Sequence, residues 1–174
     1  YDALVISPGS APVRPDLPNW GQWLSRQGYD TVYTGKWHLP SSYTTQIPGF
    51  RVLPTGLSGH GTVGDASVSR ACEGFLRNRD DARPFALVAS FLQPHDICQF
   101  VSMHTSVPDE LPAAAIEDEL PPLPDNFAYD DREPASLGGQ RTYQKVAGRW
   151  TERQWRYYLW GYYRMVEEVD AEIG

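Results

Sequence analysis

The run Phe85-Ala86-Leu87-Val88-Ala89-Ser90-Phe91 limits the fold more than any other stretch of this chain. It is almost continuously apolar and of strand length. The charged turn Arg77–Arg83 precedes it and Gln93-Pro94-His95-Asp96 follows it. A run without polar alternation fits a strand covered on both faces, as in a parallel sheet flanked by helices. The segments upstream agree. Asn19 stands in N-cap position with Gln22 in the capping-box place, Leu17, Trp20 and Leu24 fall at helical spacing, and Gly28 closes the helix. Tyr29-Asp30-Thr31-Val32-Tyr33-Thr34, rich in β-branched and aromatic residues, reads as a strand that runs out at Gly35-Lys36-Trp37-His38. Ala3–Ile6 is a further candidate strand. Asp65 is expected to start a helix with Val68, Ala71, Cys72, Phe75 and Leu76 on its inner face. Thr151 begins a long helix. Its stripe is Trp155, Tyr158, Leu159, Tyr162, Val166, Val169 and Ile173, with Glu167, Glu168 and Glu172 largely outside it. Strands alternating with helices predict an α/β fold, a mainly parallel sheet flanked by helices.

The remainder reads as loop. Residues 39 to 64 hold Pro40, Pro48, Pro54 and five glycines. From Val107 to Pro134 lie six prolines among scattered acids, so the stretch from 99 to 150 is expected to be an extended, surface-hugging excursion. The 174 residues suffice for one domain with a core. Fifteen basic against 22 acidic residues give a net charge of −7, and without a Lys/Arg run nucleic-acid binding is disfavoured. No stretch approaches the roughly 20 apolar residues of a membrane span. Cys72 and Cys98 make neither a disulfide framework nor a zinc motif. The chain begins at Tyr1 and stops at Gly174 directly after a patterned helix, so both ends read as cut and the lack of a targeting segment says nothing about compartment.

In parallel α/β sheets, ligands bind beyond the carboxyl ends of strands. Gly35–His38 and Pro94–Asp96 both occupy such ends, which makes Lys36, His38 and His95 candidates to converge. Glycine allows close backbone approach, lysine offers a compact positive charge, and a histidine two residues on points to the same side of an extended segment. That set suits a tetrahedral oxyanion and a proton transfer. Taken singly, each has a plainer reading: a surface lysine beside a structural histidine, and a hydrogen-bonded strand-end histidine. Asp96 offers His95 a tautomer partner, although adjacent side chains often point apart. His60, after Gly56–Gly59, is a candidate to touch substrate or a surface polar residue, and His104 reads as surface. The four histidines lack the spacing of a zinc site. Asp80-Asp81 and Asp130-Asp131 read as solvated turn charges.

The stretch from Leu17-Pro18 through Gly28-Tyr29-Asp30-Thr31-Val32-Tyr33-Thr34-Gly35-Lys36-Trp37-His38-Leu39 closely resembles the second sulfatase signature, G-Y-x-T-x-x-x-G-K-W-H. Pro84–Phe91 followed by Pro94-His95 is similar to the family's S-F-x-x-P-H motif. Tyr162 through Val166, Asp170, Ile173 and Gly174 resembles its Y-x-x-x-V-x-x-x-D-x-x-I-G helix. The matches stand in family order and cover most of the chain. The resemblance implies an alkaline-phosphatase-like α/β fold. It also implies hydrolysis of sulfate esters, on a carbohydrate or aryl sulfate, by a formylglycine beside a divalent cation, usually calcium. By similarity, Lys36 would hold a sulfate oxygen and the formylglycine, His38 would hydrogen-bond the formylglycine hydrate, and His95 would sit near the ester oxygen.

Departures from the family pattern are equally informative. Neither Cys72-Glu73-Gly74-Phe75, Cys98-Gln99-Phe100-Val101 nor Ser7-Pro8-Gly9-Ser10 fits the C/S-x-P/A-x-R motif of the modified residue. The acidic metal ligands of the family are not matched either. Residues 1–174 are therefore expected to be the middle segment of a catalytic domain, not catalytic alone, with formylglycine and cation ligands outside it. A phosphodiesterase or phosphonate monoester hydrolase of the same superfamily, and a non-catalytic domain that binds sulfated glycans, are the alternatives. Export to the periplasm or beyond is what the family suggests; oligomeric state is not legible.

Overall fold

The computed structural model describes residues 17–37, 46–55, 60–79, 82–104, 113–128, 132 and 150–174. It divides into two compact units, Tyr1–Gln93 with Val169–Gly174, and Pro94–Glu168. The candidate strand at Ala3–Ile6 lies outside the described residues.

The first unit is built on a parallel sheet. Asp30–Gly35 (β1) lies between Arg51–Leu53 (β2) and Phe85–Ser90 (β3), with Val32 opposite Arg51 on one side and Leu87 on the other. A central strand has both edges paired and both faces available for covering, and Thr31, Val32, Tyr33 and Thr34 are all buried. The two threonines are satisfied by backbone: Thr31 Oγ1 donates to the Gly49 carbonyl at 2.5 Å and Thr34 Oγ1 to that of Leu53 at 3.4 Å. β2 is a strand that the sequence pattern does not announce. The run at 85–91, expected to be covered on both faces, is only half-buried in β3, an edge strand of this sheet among the described residues.

Trp20–Arg26 (α1) carries the anticipated capping box. Asn19 Oδ1 accepts from the Gln22 amide at 2.9 Å while Gln22 Oε1 accepts from the Asn19 amide at 3.0 Å, so two orphan donors of the first turn are satisfied. The buried residue of α1 is Gly21, on which the Phe50 ring lies so closely that a Cβ would stand 2.2 Å from Phe50 Cε2. Gly61–Asn78 (α2) begins four residues earlier than Asp65, its expected start. Val68 and Phe75 face the core, Phe75 meeting Phe85 edge-on at 5.5 Å, whereas Leu76 is 48% exposed and is not an inner-face residue. Ser69 Oγ donates to the Glu172 carbonyl at 2.8 Å, tying α2 to the end of the last helix.

In the second unit, Ile97–His104 (α3) packs against Glu152–Ile173 (α4), whose residues up to Glu168 belong here. Thr151 and Gln154 cap α4 reciprocally, at 2.6 and 3.3 Å. Phe100 is buried, its ring centroid 5.1 Å from Tyr157, and Gly161 lets it close, since a Cβ there would meet Phe100 Cε2 at 3.3 Å. The expected stripe of α4 is only partly covered: Val166 is 39% and Ile173 70% exposed. Part of the anticipated excursion from 99 to 150 is ordered structure. α3 occupies its start, Ala113–Glu119 forms a 3-10 helix, and Leu120 is buried. Arg156 binds the carbonyls of Leu120 and Pro121 at 2.7 and 2.9 Å, and Arg153 pairs with Glu117 at 2.6 Å. The proline-rich segment is thus fastened to α4 through its own backbone oxygens.

Candidate functional site at the carboxyl end of the sheet

The ends of β1 and β3 are locked to each other. Gly35 pairs with Ser90, and the Lys36 amide donates to the Ser90 carbonyl at 2.8 Å. This approach needs glycine twice over. Gly35 has φ 97°, and a Cβ there would stand 2.0 Å from the Ser90 carbonyl oxygen. The Tyr33 hydroxyl donates to the Lys36 carbonyl, and the Tyr33 ring meets Trp37 edge-on at 5.5 Å. Burial pushes the Tyr33 phenol above its usual range, outweighing the opposite pull of a hydrogen bond with Ser90, so it stays protonated and able to donate. Lys36 is held by its backbone on both sides. The residue is half-buried, and among the described residues no carboxylate pairs with its ammonium. A lysine whose backbone is held at a strand end, with no carboxylate partner among the described residues, suits an anion site.

The loop after β3 is clamped from α2. Asp65, 4% exposed, accepts from the Leu92 amide at 2.6 Å and from the Gln93 amide at 2.8 Å with its two carboxylate oxygens. Read from sequence as a helix cap, Asp65 caps a loop instead, 27 positions away in the chain. Gly61 lets the helix start approach this loop, since a Cβ would meet Gln93 Cγ at 2.4 Å. His60, exposed, immediately precedes it; its carbonyl accepts from Gly64 at 2.8 Å. The first unit therefore brings Lys36, the Leu92-Gln93 backbone and the His60 end of α2 to the carboxyl end of one sheet.

His95 follows two residues after Gln93, in the turn that opens the second unit and leads into α3. Its carbonyl accepts from Cys98 at 3.1 Å and its side chain is exposed. Asp96 is buried, so the two adjacent side chains enter different surroundings. His38 lies outside the described residues. Sequence reasoning missed Tyr33 and Asp65. Tyr33 looked like strand packing, and only its hydroxyl contact reveals a second task.

The described residues do not fit a divalent cation: among them no three His, Cys, Asp or Glu side chains gather as a metal site needs. Cys72 and Cys98 are half-buried and form no disulfide with each other, and burial pushes the Cys72 thiol up, which disfavours the reactive thiolate. A cavity of about 570 Å³ lies between β2 and α2, lined by Asp30, Arg51, Leu53, Phe75 and Arg79, and Lys36 is not among its lining residues. No helix among the described residues is long and apolar enough to cross a membrane.

No protein-family model matches the chain. It is 28% identical to a Delta 4,5-hexuronate-2-O-sulfatase of Bacteroides thetaiotaomicron, in an alignment that covers 99% of this chain and 38% of that protein. Its fold matches a solved 2-O GAG sulfatase with a TM-score of 0.76 at 24% identity, covering 94% of this chain and 36% of the other. A second solved chain, from Bacteroides thetaiotaomicron and assigned to the sulfatases, matches with a TM-score of 0.77 at the same identity and coverage. The small parallel sheet flanked by helices is thus part of an alkaline-phosphatase-like α/β fold. The chain spans little more than a third of the proteins it matches.

Proposed function

We propose that the chain is a segment of a sulfatase, that the protein containing it hydrolyses sulfate esters, and that its substrate is a sulfated glycan carrying a 2-O-sulfate on a hexuronate. The observation that carries this reading is a likeness to a hexuronate 2-O-sulfatase along 99% of the chain, which includes both strand-end motifs. Lys36, fixed by Tyr33 and Ser90, supplies positive charge to a sulfate oxygen. Charge grows on the sulfate oxygens and on the leaving alkoxide during ester cleavage, so cations and donors held there lower the barrier. His95 donates a proton or hydrogen bond to the leaving oxygen, and His38 serves the sulfate side. His60, at the rim of the same sheet end, touches the sugar. When bound, a formylglycine and a divalent cation, calcium by family resemblance, supply the nucleophile and its activation. Both come from other parts of the protein.

The test uses the full-length protein with three substrates: a 2-O-sulfated Delta 4,5-hexuronate disaccharide, an aryl sulfate and an aryl phosphodiester. Fastest turnover of the disaccharide is expected. Faster turnover of the diester would transfer the protein to the phosphodiesterases, and an encoded sequence without C/S-x-P/A-x-R upstream of Leu17 would make it a glycan-binding protein. His95→Ala is expected to slow poor leaving groups at least about ten times more than good ones, because proton donation matters most when the departing oxygen is basic. An equal loss with both would remove His95 from that role.

A further inference from the structure

We propose that the outer edge of β3, with the apolar groove beside it, receives a β-strand from the part of the protein outside these 174 residues. The inference rests on the reading of the chain as a segment of a longer protein, and is independent of the chemistry proposed for Lys36 and His95. Among the described residues β3 pairs with β1 alone. The amides of Asp30 and Lys36 donate to the carbonyls of Pro84 and Ser90, both at 2.8 Å. Peptide groups alternate in direction along a strand, so Pro84, Ala86, Val88 and Ser90 turn toward β1. Phe85, Leu87 and Ala89 turn their N–H and C=O groups outward, where no other strand meets them among the described residues. An edge built to stay open is short, charged or broken by proline. β2 is such an edge, three residues long and begun by Arg51. β3 has six residues, none charged and none proline. A cavity of about 720 Å³ is lined by Leu87, Ala89 and Phe91, by Cys72 and Leu76 of α2, and by Ile173. The cavity beside β2 uses Ala71, Gly74 and Asn78, the opposite flank of α2, so this one opens outward of β3. Of its charged residues, Glu73 pairs with Arg77, and Glu172 gives its carbonyl to Ser69. Leu76 is 48% and Ile173 70% exposed there. A strand laid along β3 answers both features. Its backbone pairs with the outward amides, and every second side chain enters the cavity against Leu76 and Ile173. The chain covers 38% of a curated relative and 36% of a solved one, so a protein of their length has ample chain to supply it. Within one polypeptide, the strand meets β3 at an effective concentration that a second copy does not reach.

Amide hydrogen exchange on the full-length protein, read residue by residue, tests this without any substitution. Leu87 and Ala89 are expected to exchange within about 10-fold of Ala86 and Val88, whose amides face β1. Exchange at Leu87 and Ala89 faster than at Val88 by about 10²-fold or more would mean an open edge and overturn the inference. Protection that disappears on dilution would give the edge to a second copy. Protection that disappears when Ala3–Ile6 are replaced by serine, with β1 still protected, would give it to that segment. Either result also overturns the inference. Leu76→Gln reads the groove by a second route. On a surface left as exposed as it is here, the exchange of one side chain should leave the urea midpoint of the full-length protein within about 0.1 M of the parent. With a strand packed over Leu76, the midpoint is expected to fall by about 0.5 M or more, and an unchanged midpoint refutes the filled groove. The proposed function is read separately, by disaccharide turnover of the unsubstituted protein, and stands or falls on that assay whichever way the edge is resolved.

Discussion

At the scale of single residues, the strongest consequence attaches to Lys36. Its ammonium is the charge that the end of β1 presents, and both its amide and its carbonyl are tied down. Lys36→Ala in the full-length enzyme is expected to lower kcat by about 10²-fold or more, the usual loss when one preorganised transition-state contact is removed. Unchanged turnover would take Lys36 out of the site. Gly35→Ala acts one residue earlier and by another route. It forces a positive φ on an L-residue and drives a methyl into the Ser90 carbonyl, so it should destabilise the fold by about 2–4 kcal/mol, measured by denaturant unfolding. Lys36 and His95 stand out in the sequence because each follows a recognisable strand in a motif whose order can be read, which is what nominates them as candidates. Asp65 was legible only as an acid near a helix start. Its partners, Leu92 and Gln93, are remote in sequence, and nothing local distinguishes a cap for its own helix from a cap for a distant loop.

Elements differ in how much of their cause is local. α1 is specified within its own sequence: Asn19, Gln22 and Gly28 set its ends, and the structure uses all three, Gly28 with φ 89°. Asn19→Ala is accordingly expected to cost about 1 kcal/mol or slightly more, as N-cap losses do. Asn19 also donates to the Pro48 carbonyl at 2.8 Å, so the loss should exceed that of Gln22→Ala in the same thermal or denaturant melt. β2 lies at the other extreme. Arg51-Val52-Leu53 is too short to show a period, and it becomes a strand because β1 offers it an edge and Arg51 pairs with Asp30 at 2.7 Å. The apolar run of β3 conveys strand character but not its cover, which depends on what packs beside it. The register of β3 on β1 then matters more than its burial, since it sets Ser90 against Gly35 and so places Lys36.

For the whole molecule, the question is which parts of the proposed catalytic centre this chain would supply. In the proposed reading it would supply the Lys36 ammonium and His95, and it spans 38% of a curated relative. Hydrolysis also needs a nucleophile and a means of activating it. The described residues offer no gathered metal donors, and neither cysteine stands in the motif of a modified residue. Donors alone stabilise developing charge, but with nothing to attack sulfur there is no transition state to stabilise. The 174-residue chain produced by itself is therefore expected to turn over neither aryl sulfate nor sulfated disaccharide above the uncatalysed rate, while the full-length protein hydrolyses the disaccharide. Measurement at matched concentration, after circular dichroism has established folded helix and sheet, decides the matter. Turnover by the short chain would mean that the nucleophile lies within it, and the assignment of attack to other parts of the protein would fall.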